Sequence, residues 1–328
     1  MSSLSHIKDK IRGRDIQVIF ADGGDARLPK AIRILLDEHL VKPTVVINSK
    51  KSNLADHYPN GAEIIDCSSH QQAERWANKI AAIDSSREIG RTIRDFENPL
   101  YAATTILAAD DADAMVAGLN DTTRDVIRAM LHQVGLAKGC DLASSYFLLD
   151  FSDNPKDFGL MALADCGMVI DPTAQQLAQI AIDTAKSTTT LLDWTPKIAM
   201  LSFSTLGSAE SPATQKVIQA TEIVKIKQPR LNIVGEIQFD AAVNREIAET
   251  KLPDNAPVRG DANIFIFPNL DAGNIGYKII EQLTSAHAYG PILQGFAKSA
   301  SDMSRGSTIA DIIGAASIAA ADSLKSHR

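Results

Sequence analysis

The chain has 328 residues, 45% of them hydrophobic and 22% charged, with a formal net charge of −7. That length suits two globular domains or one large one, with a core big enough to need neither disulfide nor metal. The negative balance and an aromatic content of only 5% argue against a nucleic-acid surface or a base-stacking platform.

Three cysteines, Cys67, Cys140 and Cys166, are widely spaced and form no C-x-x-C pair, so a zinc site or a disulfide framework is not expected. A reducing, cytoplasmic setting fits. Met1–Arg14 is polar and basic and lacks the apolar segment of a secretory leader. No apolar run reaches the ~18 residues of a membrane span.

Ile16–Ala21 is an apolar run that reads as a buried strand, Asp22–Arg27 turns the chain, and Leu28–Leu40 has helical spacing. Thr44–Asn48 is a second β-branched strand, so the chain opens as a βαβ unit with a parallel sheet. Glu63–Asp66 predicts a strand, Gln71–Ala82 a helix and Leu100–Ala109 a buried helix, while the charged stretch Ser85–Asn98 shows no usable pattern. Ala114–Gly118 predicts a strand, and Asp121 or Thr122 can cap the helix after it, which carries Arg124 and Arg128 one turn apart. Like charges at that spacing repel by a few tenths of a kcal/mol on a bare helix, a cost removed either by a shared anion or by Asp121 and Asp125.

Strands are expected at Ser145–Asp150, within Leu160–Ile170, and at Lys197–Ser202, Asn232–Val234 and Asn263–Phe267, with a turn-rich loop over Ser152–Asp157. Asp171-Pro172 predicts a helix start, with the helix reaching about Lys186. A helix from about Ala213 to Lys227 follows the polar turn Ser204–Ser208, and another runs to Leu283 after the turn Asp271–Gly276. In an α/β sheet such turns gather at the carboxyl edge, where ligands bind. Ser204, Thr205 and Asn274 are therefore candidate substrate contacts.

No G-x-S-x-G, H-E-x-x-H or P-loop is present, and the seven histidines sit at no metal-ligand spacing. Gly23-Gly24 after a strand lacks the rest of a dinucleotide fingerprint, and Cys166 reads as a structural thiol with no neighbouring base. What remains is an anion site. Asp302–Asp311, reading D-M-S-R-G-S-T-I-A-D, sets a hydroxyl (Ser304), a guanidinium (Arg305), a glycine (Gly306) and a carboxylate (Asp311) ahead of an apolar helix. A helix N-terminus there favours a phosphate. The same residues also fit a plain capping box, Thr308 with Asp311, beside a solvated arginine.

Several ordered stretches together resemble the phosphate acetyltransferase (phosphotransacetylase) family. They are D-A-D-A-M-V-A-G (Asp111–Gly118), A-D-C-G-M-V (Ala164–Val169), the A-M-L-S-F-S-T-x-G-S pattern (Ala199–Ser208), G-E-I-Q-F-D-A-A-V (Gly235–Val243), N-I-F-I-F-P-N-L-D-A-G-N-I-G-Y-K (Asn263–Lys278), Y-G-P-I-L-Q-G (Tyr289–Gly295) and S-D-M-S-R-G (Ser301–Gly306). The resemblance implies two three-layer α/β domains with mostly parallel sheets and an interdomain cleft, of the isocitrate/isopropylmalate dehydrogenase type. Residues 1–140 and 292–328 would form the first domain and 141–291 the second. It implies a cytoplasmic homodimer that moves an acetyl group between coenzyme A and phosphate, using acetyl-CoA, CoA, phosphate and acetyl phosphate, with no permanently bound cofactor or metal.

By position, Asp311 would be the base for the thiol, Ser304 would steady the oxyanion, and Arg305 and Arg128 would hold phosphate and acyl donor. Arg27 matches a further site arginine. The segment around Arg87 and Arg91, and Arg128-Ala129-Met130, depart from the family pattern. These departures bear on acyl-chain preference and CoA affinity more than on the reaction class. The alternatives are a butyryltransferase-like enzyme with longer acyl preference and a non-catalytic ligand-sensing module of the same fold.

Overall fold

The computed structural model describes residues 3–51, 54–152 and 159–324. Apart from Ser152, the loop expected over Ser152–Asp157 lies outside them. The chain divides into two compact units, Leu4–Asp141 with the returning segment from Phe296, and Leu142–Gly295.

The first unit is built on five parallel strands in the spatial order Glu63–Asp66, Lys42–Ile47, Gln17–Phe20, Ala114–Ala117, Ser299–Asp302. Their side chains are mostly buried, as in parallel sheets covered by helices, which is why Gln17–Phe20, Lys42–Ile47 and Ala114–Ala117 read as apolar runs; Ser299–Asp302 is buried although its sequence, S-A-S-D, is polar. The last strand comes from the far end of the chain and pairs in register with Ala114–Ala117, Ser299 opposite Ala114 and Asp302 opposite Ala117. The helix after it, Ile309–Ser323, buries the whole Ala/Ile face, including Ile312, Ile313, Ala316, Ala319 and Ala320. It packs on the two strands beside it and on the helix Leu28–Asp37. Each buried isoleucine contributes about 1.5–3 kcal/mol, which anchors the turn that precedes the helix.

The second unit has a mixed sheet. Strands His287–Gln294, Ser144–Asp150 and Leu160–Ala164 run antiparallel, and Leu160–Ala164 continues in parallel with Ile264–Ile266, Lys197–Leu201 and Asn232–Ile237. Its core includes Phe147 stacked on Tyr277 at 4.2 Å between ring centres.

Several elements differ from expectation for local reasons. The helix from Leu28 stops at Asp37 because His39 takes a left-handed φ of 54° before the next strand. The featureless stretch after Ser85 contains the helix Ile89–Phe96, of which only Thr92 and Phe96 are buried. The strand expected across Leu160–Ile170 ends at Ala164. The buried Asp165 carboxylate there accepts the N–H groups of Gly167, Met168 and Val169 and the Ser145 hydroxyl, which turns the chain. The cap of the following helix is Thr173, in a box with Gln176, and the helix runs to Leu192. Asn269 caps a helix that already begins at Leu270, so Asp271–Gly276 is helical rather than a turn.

Candidate active site

The carboxyl ends of three adjacent strands of the first unit carry the turns after Phe20, Ala117 and Asp302. Four of the residues singled out above, Arg27, Ser304, Arg305 and Asp311, meet there. The turn Ser304–Ser307 closes on itself. Ser307 N–H donates to the Ser304 carbonyl at 2.9 Å, Ser304 N–H donates to Ser307 Oγ at 3.1 Å, and Gly306 N–H donates to Ser304 Oγ at 3.3 Å. Ser304 Oγ thus serves as an acceptor inside the turn, and its own proton remains available.

Arg305 is exposed, and its guanidinium has no hydrogen-bond or ion-pair partner among the described residues. Asp311 is half-buried at the third position of its helix. Its Oδ2 accepts the Thr308 N–H at 2.7 Å and the Thr308 hydroxyl at 2.8 Å, completing the capping box. Its Oδ1 has no hydrogen-bond partner among the described residues. The cap and the candidate base therefore coexist in one side chain, because one carboxylate oxygen caps the helix and the other is open to chemistry.

Arg27 is engaged differently. Its guanidinium makes a two-point contact with Asp25, at 2.8 and 2.7 Å, and donates to the carbonyls of Arg305 at 2.9 Å and Ser307 at 2.7 Å. The pairing holds the Asp25 carboxyl below its ordinary range and raises Arg27 further. Arg128, exposed on the helix Thr123–Gln133 that Thr122 caps, faces Asp125 at 3.4 Å. The charge repulsion with Arg124 is thus eased within the helix. Arg87 is spent on Asp84 and on the carbonyls of His132 and Gln133, and Arg91 on Asp95. Farther along the same edge, a cavity of about 470 Å³ is lined by the cations Lys50, Lys51 and Arg94, by the carboxylates Asp95 and Glu97, and by Tyr101 among others.

Against these observations, residues 2–320 match the family model of the phosphate acetyl/butaryl transferases. The chain belongs to this family. It is 38% identical to the phosphate acetyltransferase of Acetivibrio thermocellus, covering 98% of both chains. It is 37% identical to that of Paracoccus denitrificans, covering 98% of this chain and 99% of the relative. Among solved structures, a phosphotransacetylase from Streptococcus pyogenes superposes with a TM-score of 0.88 at 35% identity, covering 98% of each chain. The mostly parallel α/β architecture is thereby that of the family.

The three residues of the second unit expected as substrate contacts are engaged within that unit. Ser204 is fully buried, with Oγ donating to Glu236 at 2.9 Å and accepting the Ala209 N–H at 3.0 Å. Thr205 is buried against Gln238, whose N–H donates to Thr205 Oγ1 at 3.0 Å. Asn274 lies on the helix from Leu270 and donates to the Cys166 carbonyl at 3.0 Å. All three hold the backbone of their own unit. Cys166 is buried, which pushes its thiol well above the ordinary range, in keeping with a structural role.

Two carboxyl groups beneath this turn are absent from the sequence-based expectations. Asp302 is 0% exposed, and neither of its oxygens makes a hydrogen bond of ordinary geometry among the described residues. Burial pushes it up to about 7, with the nearby Thr123 hydroxyl and Met303 amide pulling the other way and Asp22 adding to the rise. Asp22 accepts the N–H groups of Leu119 and Asn120, yet burial raises it to about 6. Gly118 passes over Asp302 at φ +103°, and a Cβ there would lie 2.2 Å from the carboxylate, so only glycine fits. Asp22 follows the apolar run Ile16–Ala21, a signal available in the sequence, whereas Asp302 ends the polar strand S-A-S-D and has no such signal.

These displacements carry a sign. Both carboxyls bind their protons more tightly folded than unfolded, so stability falls as pH rises from about 4 to about 7. Each tenfold gain in proton affinity corresponds to about 1.4 kcal/mol, so the loss is on the order of a few kcal/mol. Depressed carboxyls such as Asp25 act in the opposite direction, but at lower pH. Urea midpoints at pH 5 and pH 8 should therefore differ, and Asp302→Asn should shrink that difference. An unchanged difference would contradict the assignment.

Proposed function

We propose that the chain catalyses reversible acetyl transfer between coenzyme A and phosphate at the turn Ser304–Asp311. The observation that carries this reading is the juxtaposition, within one turn and its helix start, of an unpaired guanidinium, a hydroxyl with its proton free and a carboxylate oxygen without a partner. Asp311 Oδ1 takes the thiol proton of CoA, a group that is mostly protonated at neutral pH. The thiolate attacks the carbonyl carbon of acetyl phosphate, the Ser304 hydroxyl donates to the developing oxyanion, and collapse of the tetrahedral adduct expels phosphate. Arg305 holds the phosphoryl oxygens through a planar fork and stabilises the leaving dianion, with Arg128 as a second cation.

Direct attack in a ternary complex needs no covalent enzyme intermediate, since holding both substrates together supplies the orientation. The cations of the neighbouring cavity suit the phosphate groups of CoA. The reading includes a cytoplasmic homodimer without a resident cofactor.

CoA-dependent consumption of acetyl phosphate tests the reaction. Turnover is expected, with acetyl phosphate preferred to butyryl phosphate by about tenfold or more, since two methylenes must be accommodated or refused. Binding without turnover would make the protein a ligand sensor. A butyryl preference would make it a longer-chain acyltransferase.

A further inference from the structure

Arginine has five N–H donors, and Arg27 spends four of them inside the protein. Nε–H goes to Asp25 Oδ1, one Nη2 proton to Asp25 Oδ2, and both Nη1 protons to the carbonyls of Arg305 and Ser307. The backbone N–H of Arg27 also donates to Asp25 Oδ1 at 2.9 Å. The Asp25 side chain is only 10% exposed and that of Arg27 30%, so the pair is a fixed element rather than a mobile surface bridge. At most one proton of this guanidinium is left for a substrate.

The two carbonyls it grips belong to two particular peptide planes. A trans peptide directs its C=O and N–H to opposite sides. Drawing the Arg305 carbonyl toward Arg27 therefore aims the Gly306 N–H the other way, where it donates to Ser304 Oγ. Drawing the Ser307 carbonyl toward Arg27 aims the Thr308 N–H at Asp311 Oδ2. One guanidinium thus orients the two amides that hold the reacting hydroxyl and the reacting carboxylate, across 278 and 280 residues of sequence.

We propose that Arg27 is a positioning residue, clamped by Asp25, that sets Ser304 and Asp311 through the 305–306 and 307–308 peptide planes, and that it is not a substrate ligand. The proposal rests on the acetyl-transfer reading for its kinetic consequences only. Lysine cannot replace such a clip, because one ammonium cannot span a carboxylate and two carbonyls with a planar fork. A substrate-binding arginine acting by charge, in contrast, is partly replaced by lysine.

The test compares Arg27→Lys, Arg27→Gln and Asp25→Asn with the parent enzyme. All three should lower kcat roughly tenfold to thirtyfold, as expected for misplaced reacting groups, with KM for CoA and for acyl phosphate within about twofold of the parent. The Asp25→Asn/Arg27→Gln double variant should be no worse than Arg27→Gln alone, since both break one unit. Amide hydrogen exchange of the peptide covering 304–308 should accelerate in each variant while the strand Ala114–Ala117 stays protected. This readout does not depend on turnover. If the parent itself fails to turn over acetyl phosphate, the reaction reading falls and the exchange data still decide the clip. The proposal is overturned if Arg27→Lys restores the parent kcat, if Arg27→Gln raises a substrate KM tenfold with kcat intact, or if exchange at 304–308 is unchanged.

Discussion

Asp311→Asn is expected to lower kcat by about 10²- to 10⁴-fold, the usual contribution of a positioned general base, while leaving the fold intact. The substitution separates two duties of one side chain. The capping duty falls on Oδ2, which accepts the Thr308 N–H and hydroxyl. The amide oxygen of the introduced asparagine can still accept both, so the melting temperature should hardly move. The proposed chemical duty falls on Oδ1, and an amide nitrogen in its place cannot take a proton. Asp311→Ala would confound the two by removing the carboxylate half of the capping box as well, while Thr308 still caps the helix. The decisive measurement is therefore kcat and thermal stability of Asp311→Asn side by side. Full activity in a stable variant would remove the carboxylate from the mechanism and leave it as a cap alone.

The parts of this molecule that are legible in the sequence are those with local causes. The strands Gln17–Phe20, Lys42–Ile47 and Glu63–Asp66 are short apolar or β-branched runs between polar turns, a pattern that buried parallel strands produce by themselves. The helix Ile309–Ser323 announces itself through its cap, its box and its Ala/Ile face. The helix Ile89–Phe96 is illegible because it buries only two side chains in eight residues, too few to set a period. Asn269 does not distinguish a helix start from the approach to a turn, since a residue that caps also suits a turn, and its neighbours do not separate the two.

At the site, Ser304, Arg305 and Asp311 lie close in sequence and can be read as a motif. The role of Arg27 cannot, because a side chain that donates to distant backbone carbonyls leaves no trace in the identity of the residues that receive it. Ser204 and Thr205 are a different case. Polar residues in a turn resemble ligand contacts, but their hydroxyls are absorbed by the buried Glu236 and by Gln238.

Arg305→Gln bears on the other half of the chemistry, the handling of phosphate. Its guanidinium has no internal partner among the described residues and stands exposed, so removing it breaks no hydrogen bond of the fold. Stability should change by less than about 0.5 kcal/mol, as for surface substitutions generally. The loss should fall on the substrate. A charge-assisted fork to a phosphoryl group contributes about 1.5–3 kcal/mol to binding. Stabilising the charge that develops on departure adds a further factor of the kind seen when one transition-state donor is removed, about 10²- to 10³-fold. The expected result is a fall in kcat/KM for acetyl phosphate of about 10³-fold or more, with a higher KM and an unchanged melting temperature. Arg305→Lys should recover only part of it, because the ammonium keeps the charge and loses the planar fork. A threefold change or less in kcat/KM would mean that Arg128, facing Asp125 one helix away, carries the phosphate instead. The same measurement on Arg128→Gln would then show the larger loss.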